Sequence, residues 1–184
     1  MFIRVLTALA FCAAIATVGQ TTSAQAEDAA TIESKSRAAL QSLVKKSEDA
    51  ALLKKDTLGI LVFPEVLKGG LIVGGLYGEG ALLKSDKATG YYETVAASIG
   101  LQAGIQKFGY AVFFMNEKAM GYLDESEGWE IGSAPSLVVV DKGIAGKFTT
   151  TSARESIYVF YFDQKGLMGG LGIEGTKISK ITPE

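Results

Sequence analysis

Histidine is missing from this 184-residue chain, and cysteine occurs once, at Cys12. Without an imidazole there is no side chain whose ordinary pKa lies near neutrality, and a single thiol supplies neither a disulfide nor a cysteine-based zinc set. Ser-His-Asp and Cys-His nucleophilic sites are excluded for the same reason. Excess charge is lacking too: 18 basic and 20 acidic residues give a net of −2, which is not the balance of a nucleic-acid binder. No apolar run reaches the length of about 20 residues that a membrane-crossing helix needs. Carboxylate pairs such as Glu79 and Glu174 remain for acid–base work, but nothing places them at a cleft. The composition points to a binding protein, with no enzymatic activity and no cofactor expected.

The chain opens with an address. Residues 1–4 carry one positive charge, residues 5–18 are almost uninterruptedly apolar, and Ala24-Gln25-Ala26 is the small-x-small pattern a signal peptidase reads. Cleavage is expected before Glu27, with residues 1–26 as signal peptide and a periplasmic or secreted product, peripheral if it meets a membrane. Leu9-Ala10-Phe11-Cys12 is a poor lipoprotein box, because bulky Phe11 stands where a small residue is wanted. Loss of the segment removes Arg4 and Cys12, leaving 17 basic against 20 acidic groups and no thiol. Residues 27–184 show no linker or low-complexity stretch and read as one domain, helical over 27–55 and sheet over 56–184. Such a length buries about two-thirds of its unfolded surface.

Ile32, Ala39, Leu40, Leu43 and Val44 fall on one side of a helical wheel, and Asp28 or Ser47 can cap a helix start, so 28–53 is one helix or two. Two readings stay open: an amphipathic helix that covers the sheet with its lysines solvated, or a membrane-surface helix whose lysines meet lipid phosphates.

The remainder is strand-like. Residues 58–63 form a short apolar run ended by Pro64, followed by a glycine-rich strand to Gly80. Residues 84–90 are a polar turn, and 91–105 are extended, with Ile99, Leu101, Ala103 and Ile105 alternating with polar or bare positions. Lys107-Phe108-Gly109 reads as a turn into 110–115, and Asn116 can cap a short helix to about Leu123. The carboxylates at 124–127 lack the spacing of an EF-hand loop, so no metal is expected. Residues 137–140 and 156–162 read as strands, 163–166 as a turn, and a last strand runs to Ile178. Gly170-Leu171-Gly172-Ile173-Glu174-Gly175 matches a dinucleotide fingerprint, but only nine residues follow it, too few for the helix and strand that motif requires. The fold class is therefore α+β. The N-terminal amphipathic helix or helices pack on a strongly curved, mostly antiparallel sheet of about eight strands, with barrel-like closure as one form of that curvature.

Glycine is what the chain has in abundance, with 22 residues. Phe63-Pro64, Lys68-Gly69-Gly70, Gly74-Gly75 and Gly78-Glu79-Gly80 form one block. Ser98, Gly100 and Gly104 belong to a second, and Gly166, Glu174 and Gly175 to a third. In order and spacing these blocks, over about residues 47–181, resemble the SYLF domain, a lipid-binding family. Tyr91-Tyr92 and Asp163-Gln164 depart from the pattern, where relatives have a tryptophan-containing segment and serines. The resemblance implies a module that docks on anionic phospholipid, or holds a lipid-like ligand, through basic residues near the N-terminal helix: Lys35, Arg37, Lys45, Lys46, Lys54, Lys55 and, beside the glycine strand, Lys68. Eukaryotic relatives also bind actin, a partner an exported protein would not meet. The alternative is an envelope structural domain with a protein partner, whose glycines serve only to let the sheet curve.

Overall fold

The computed structural model describes residues 27–70, 73–99, 104–125, 128–131, 133, 137–140, 156–166 and 175–184. The described residues begin with two helices, α1 (Ala29–Lys46) and α2 (Glu48–Leu53). Asp28 caps α1 by accepting the Thr31 N–H at 2.9 Å, an interaction that holds its carboxyl below the usual range. Ser47 serves both helices. Its N–H closes α1 on the Leu43 carbonyl, and its hydroxyl accepts the Ala50 N–H that opens α2. One extended residue thus turns the chain, which settles the choice between one helix and two.

Among the described residues eight strands follow: β1 (Gly59–Gly70), β2 (Val73–Lys84), β3 (Lys87–Ile99), β4 (Gly104–Phe114), β5 (Trp129–Glu130), β6 (Leu137–Val140), β7 (Ile157–Gly166) and β8 (Lys177–Ile181). They form one curled half-barrel sheet in the order β5-β8-β3-β2-β1-β4-β7-β6. Every pairing is antiparallel except β6 with β7, which is parallel. Between β4 and β5 lie α3 (Glu117–Met120), capped by Asn116, and a 3-10 turn over Gly121–Asp124.

Several local expectations are corrected. Pro64 does not end a strand. It sits inside β1, where the pairing with both β2 and β4 slips by one residue, and that bulge absorbs the missing N–H. The glycine-rich stretch is not one strand but two: it reverses after Gly70, and Gly70 pairs with Gly74. Lys107-Phe108-Gly109 lies within β4, and residues 163–166 within β7, so neither is a turn. Likewise 91–105 is divided between β3 and β4, with residues 100–103 outside the described parts. The last strand begins only at Lys177 and runs to Ile181, while residues 167–174, also expected in it, lie outside the described parts.

The sheet has a core on each face. On one, Leu61, Phe63, Val66, Phe108, Tyr110, Val112 and Phe114 pack under α3, Trp129 and Ile131. On the other, the helix face, Ile32, Leu40 and Leu43 of α1 and Ala50 and Leu53 of α2 pack on Ile60, Val62, Ala81, Leu83, Ala111, Phe113 and Phe160. Ser36 is buried among these apolar residues and donates to the Val62 carbonyl at the bulge, which explains a polar residue on the packed side of α1.

Candidate functional site

α1 covers only part of its face of the sheet. Beyond the bulge, the residues continuing that face are Glu65, Leu67 and Gly69 on β1; Gly75, Tyr77 and Glu79 on β2; Glu93, Val95 and Ala97 on β3; and Ile105 and Lys107 on β4. This follows from the two-residue period of a strand and from the pairing register. They form three rows across the strands. Next to α1 stands Ser179, Glu93, Glu79, Glu65; then Lys177, Val95, Tyr77, Leu67, Lys107, Lys165; then, towards the strand ends, Ala97, Gly75, Gly69, Ile105.

The middle and last rows hold large apolar side chains in water. Ile105 is 73% exposed, Leu67 52%, Tyr77 48% and Val95 40%. Isolated exposed apolar residues are ordinary, but four in adjoining register positions mark an interaction surface. Lysines bound the middle row at both ends, and all three are exposed. Lys107 also reaches Glu65 at 2.5 Å. In the acidic row, Glu79 accepts a 2.6 Å hydrogen bond from the Tyr77 hydroxyl. Partial burial, that hydrogen bond and the nearby charges of Glu79 and Glu93 together keep the Tyr77 phenol protonated well above its ordinary range.

The glycines divide into two kinds. A Cβ on Gly80 would meet the Val62 carbonyl at 2.3 Å, one on Gly78 the Glu65 carbonyl at 2.8 Å, and one on Gly109 the Phe162 ring at 2.1 Å. Those three are required by the bulge and by ring packing. On Gly69 and Gly75 a Cβ would find only ordinary contacts, at 3.7 and 3.6 Å. Packing does not demand glycine at these two positions, and both lie on the uncovered face. Close packing therefore accounts for Gly78, Gly80 and Gly109, while a bare surface is what Gly69 and Gly75 provide.

Of the other motif residues, Phe63 is in the core and Pro64 in the bulge. Gly70, Gly74, Ser98 and Gly104 meet at the strand ends, where Gly70 pairs with both Gly74 and Gly104 and Gly74 with Ser98. Gly166 and Gly175 have φ of +117° and +73°. Gly100 and Glu174 lie outside the described residues, as does most of the dinucleotide-like motif.

The basic residues expected near the N-terminal helix are not gathered into one cluster. Lys35 pairs with Glu27 and Arg37 with Glu33; Lys46 lies 3.1 Å from Asp163, and Lys54 2.8 Å from Asp86. Lys45 and Lys55 are exposed and have no ion pair among the described residues. Lys68 is half-buried and stands opposite Leu76 and Gln106, on the face away from α1. The apolar side of α1 is spent on the sheet, which matches the covering-helix reading. Sequence reasoning missed Leu67, Tyr77, Val95, Ile105, Lys107, Lys165 and Lys177 as a group. They come from six strands, and each alone looks like an ordinary strand residue. Among the described residues no helix is long and apolar enough to cross a membrane, and no group of three or more acidic side chains is placed to hold a metal ion.

The family model Ysc84, described as Las17-binding protein actin regulator, matches residues 95–183. That span begins at Val95 in the apolar row and includes β4, β7 and β8, which carry Ile105 and the three flanking lysines. A comparison with curated proteins finds no match.

Proposed function

The chain belongs to the SYLF domain family, a family of binding modules and not of enzymes, and on that premise we propose that it docks on anionic phospholipid, without catalysis, through the uncovered part of its helix face. The observation that carries this reading is the row Lys177, Val95, Tyr77, Leu67, Lys107, Lys165, with apolar side chains in the middle and cations at the ends. An interfacial surface needs that order: the apolar groups enter the acyl boundary while lysine stems extend to the phosphates. Each lysine near an anionic leaflet contributes about 1 kcal/mol. Burying the exposed half of each of the four apolar side chains adds a similar amount. These are the magnitudes of reversible, peripheral binding.

The carboxylate row lies on the α1 side, roughly 7 Å back along the strands from the apolar row at two residues' rise. A domain tilted with its glycine-rich strand ends towards the lipid keeps those carboxylates out of the headgroups. Bare backbone at Gly69 and Gly75 lets the surface approach closely. The helix cations Lys35, Arg37, Lys45, Lys46, Lys54 and Lys55 add long-range attraction. Processing before Glu27 would bring the domain to the envelope, where phosphatidylglycerol or cardiolipin, and not actin, would be within reach.

Flotation of the chain beginning at Glu27 with vesicles of phosphatidylcholine and increasing phosphatidylglycerol tests the proposal. Binding should rise with the anionic fraction and fall with salt. Indifference to lipid composition, with an envelope protein recovered by crosslinking, would replace this reading with the protein-interaction one.

A further inference from the structure

The backbone N–H of Glu27 donates to Glu79 Oε2 at 3.2 Å, while the Tyr77 hydroxyl donates to Oε1 of the same carboxylate. Glu79 is the middle member of the register row Glu65, Glu79, Glu93. Glu65 has Lys107, but Glu79 has two neutral donors and no cation among its described contacts. The neighbouring cation on α1, Lys35, is taken by the Glu27 side chain. Like charges directly opposite each other on adjacent strands are unfavourable, so a carboxylate in this place calls for positive charge.

We propose that Glu79 is the receptor for the α-ammonium group of the processed chain. Hydrolysis of the Ala26–Glu27 amide by an export peptidase consumes one water. The C–N bond breaks, the water oxygen stays on Ala26 as part of its carboxylate, and both water hydrogens pass to the Glu27 nitrogen, taking it from an amide N–H to an ammonium. The group already pointing at Glu79 changes from a neutral donor to a cation. The new charge stands at the border of the docking row, because Tyr77, a member of that row, is two residues from Glu79 on β2 and donates to the same carboxylate. The consequence for lipid rests on the docking reading above; the ion pair does not.

The test uses four preparations of the chain beginning at Glu27: free or acetylated amino terminus, each with Glu79 or Glu79→Gln. Acetylation keeps an N–H and deletes the charge. At pH 6 and low salt the free amine should melt about 1–3 °C above the acetylated form, the scale of an exposed ion pair in a domain of this size. The difference should vanish in Glu79→Gln and shrink in high salt. The charged groups around the amine are Glu27 and Lys35 from the helix layer, Glu79 on β2 and Glu93 on β3, with the neutral, titratable phenol of Tyr77 beside them. A cation held by carboxylates stabilises below its unfolded pKa, about 7.7 for an α-amino group, so the difference should also be lost as pH rises through the amine's titration. Equal melting of the free and acetylated forms at pH 6 overturns the proposal. In flotation the free amine should bind anionic vesicles a few-fold better than the acetylated form, and equal binding overturns the link to docking. If no preparation binds vesicles while the melting difference persists, the docking reading fails and the ion pair stands.

Discussion

Across β1 and β4 the Lys107 ammonium lies 2.5 Å from a Glu65 carboxylate oxygen, while Lys107 pairs in register with Leu67 of the apolar row. The lysine is shared between an internal partner and the surface proposed to meet lipid. Glu65→Gln should release it. Binding to anionic vesicles should strengthen about fivefold, the worth of one lysine near the surface, with stability changed by less than ~1 kcal/mol. Flotation and thermal melting of the same variant check both halves.

Leu67→Ser with Ile105→Ser removes the two most exposed large apolar groups of the proposed docking surface, one from the middle row and one from the row beyond it. Each should cost about 1 kcal/mol of docking, together roughly a 25-fold loss. Stability should hold, because neither side chain is in a core. A double variant that floats like the parent would take the sheet face out of the docking surface.

Charge reversal ranks the two basic regions. Lys107→Glu with Lys165→Glu should reduce flotation more than Lys45→Glu with Lys46→Glu, because the first pair adjoins the apolar row and Lys46 is engaged with Asp163. No effect from the second pair removes the helix from the site; a larger effect from the second pair moves the site to the helix.

Two glycine variants separate surface from scaffold. Gly75→Ala should leave stability unchanged or raise it by up to ~1 kcal/mol, since its Cβ has room, and should weaken docking if the backbone approaches lipid. Gly80→Ala forces a methyl against the Val62 carbonyl and should cost about 2 kcal/mol or more. Urea unfolding measures both.

The Tyr110 hydroxyl donates to Thr94 Oγ1 at 2.6 Å in the interior, and burial pushes its pKa far above the ordinary 10.0. Tyr110→Phe should cost about 1–3 kcal/mol by leaving the threonine unpartnered, and adding Thr94→Val should recover part of it. Because the folded pKa is raised, the folded chain keeps a proton that the unfolded one releases. This stabilisation is complete below pH 10 and lost as pH climbs above it. Stability measured from pH 8 to 12 should therefore fall more steeply in the parent than in Tyr110→Phe. Some slope should persist, since Tyr77, Tyr91 and Tyr92 are raised as well.

Much of the fold is legible in single residues. Asp28, Ser47 and Asn116 each do the capping their chemistry suggests, and Ile32, Leu40 and Leu43 face the sheet as their spacing requires. Misreadings arise where a tertiary partner overrides a local signal. Pro64 resembles a terminator until a bulge shared by β1, β2 and β4 accommodates it. Gly109 resembles a turn until the Phe162 ring takes the place of its side chain. The reversal after Gly70 is hidden because Leu71, Ile72 and Val73 are β-prone and the glycine pairs on either side of them read equally well as kinks in one curved strand. Gly75 and Gly80 look alike in a sequence, and only the distance from each to the opposing strand tells the tolerant one from the required one.

Determined by sequence alone are the helix caps, much of the strand content and the absence of imidazole chemistry, since each depends on residue identity and near neighbours. Which apolar residues remain in water was decided by tertiary structure. An α-helix is about 10 Å wide, whereas a 12-residue strand is roughly 40 Å long. One helix laid across β1 and β2 covers a band of them and leaves the rest bare. Leu67, Tyr77, Val95 and Ile105 form a surface because they fall beyond the edge of α1, a fact of placement that no stretch of the chain carries by itself.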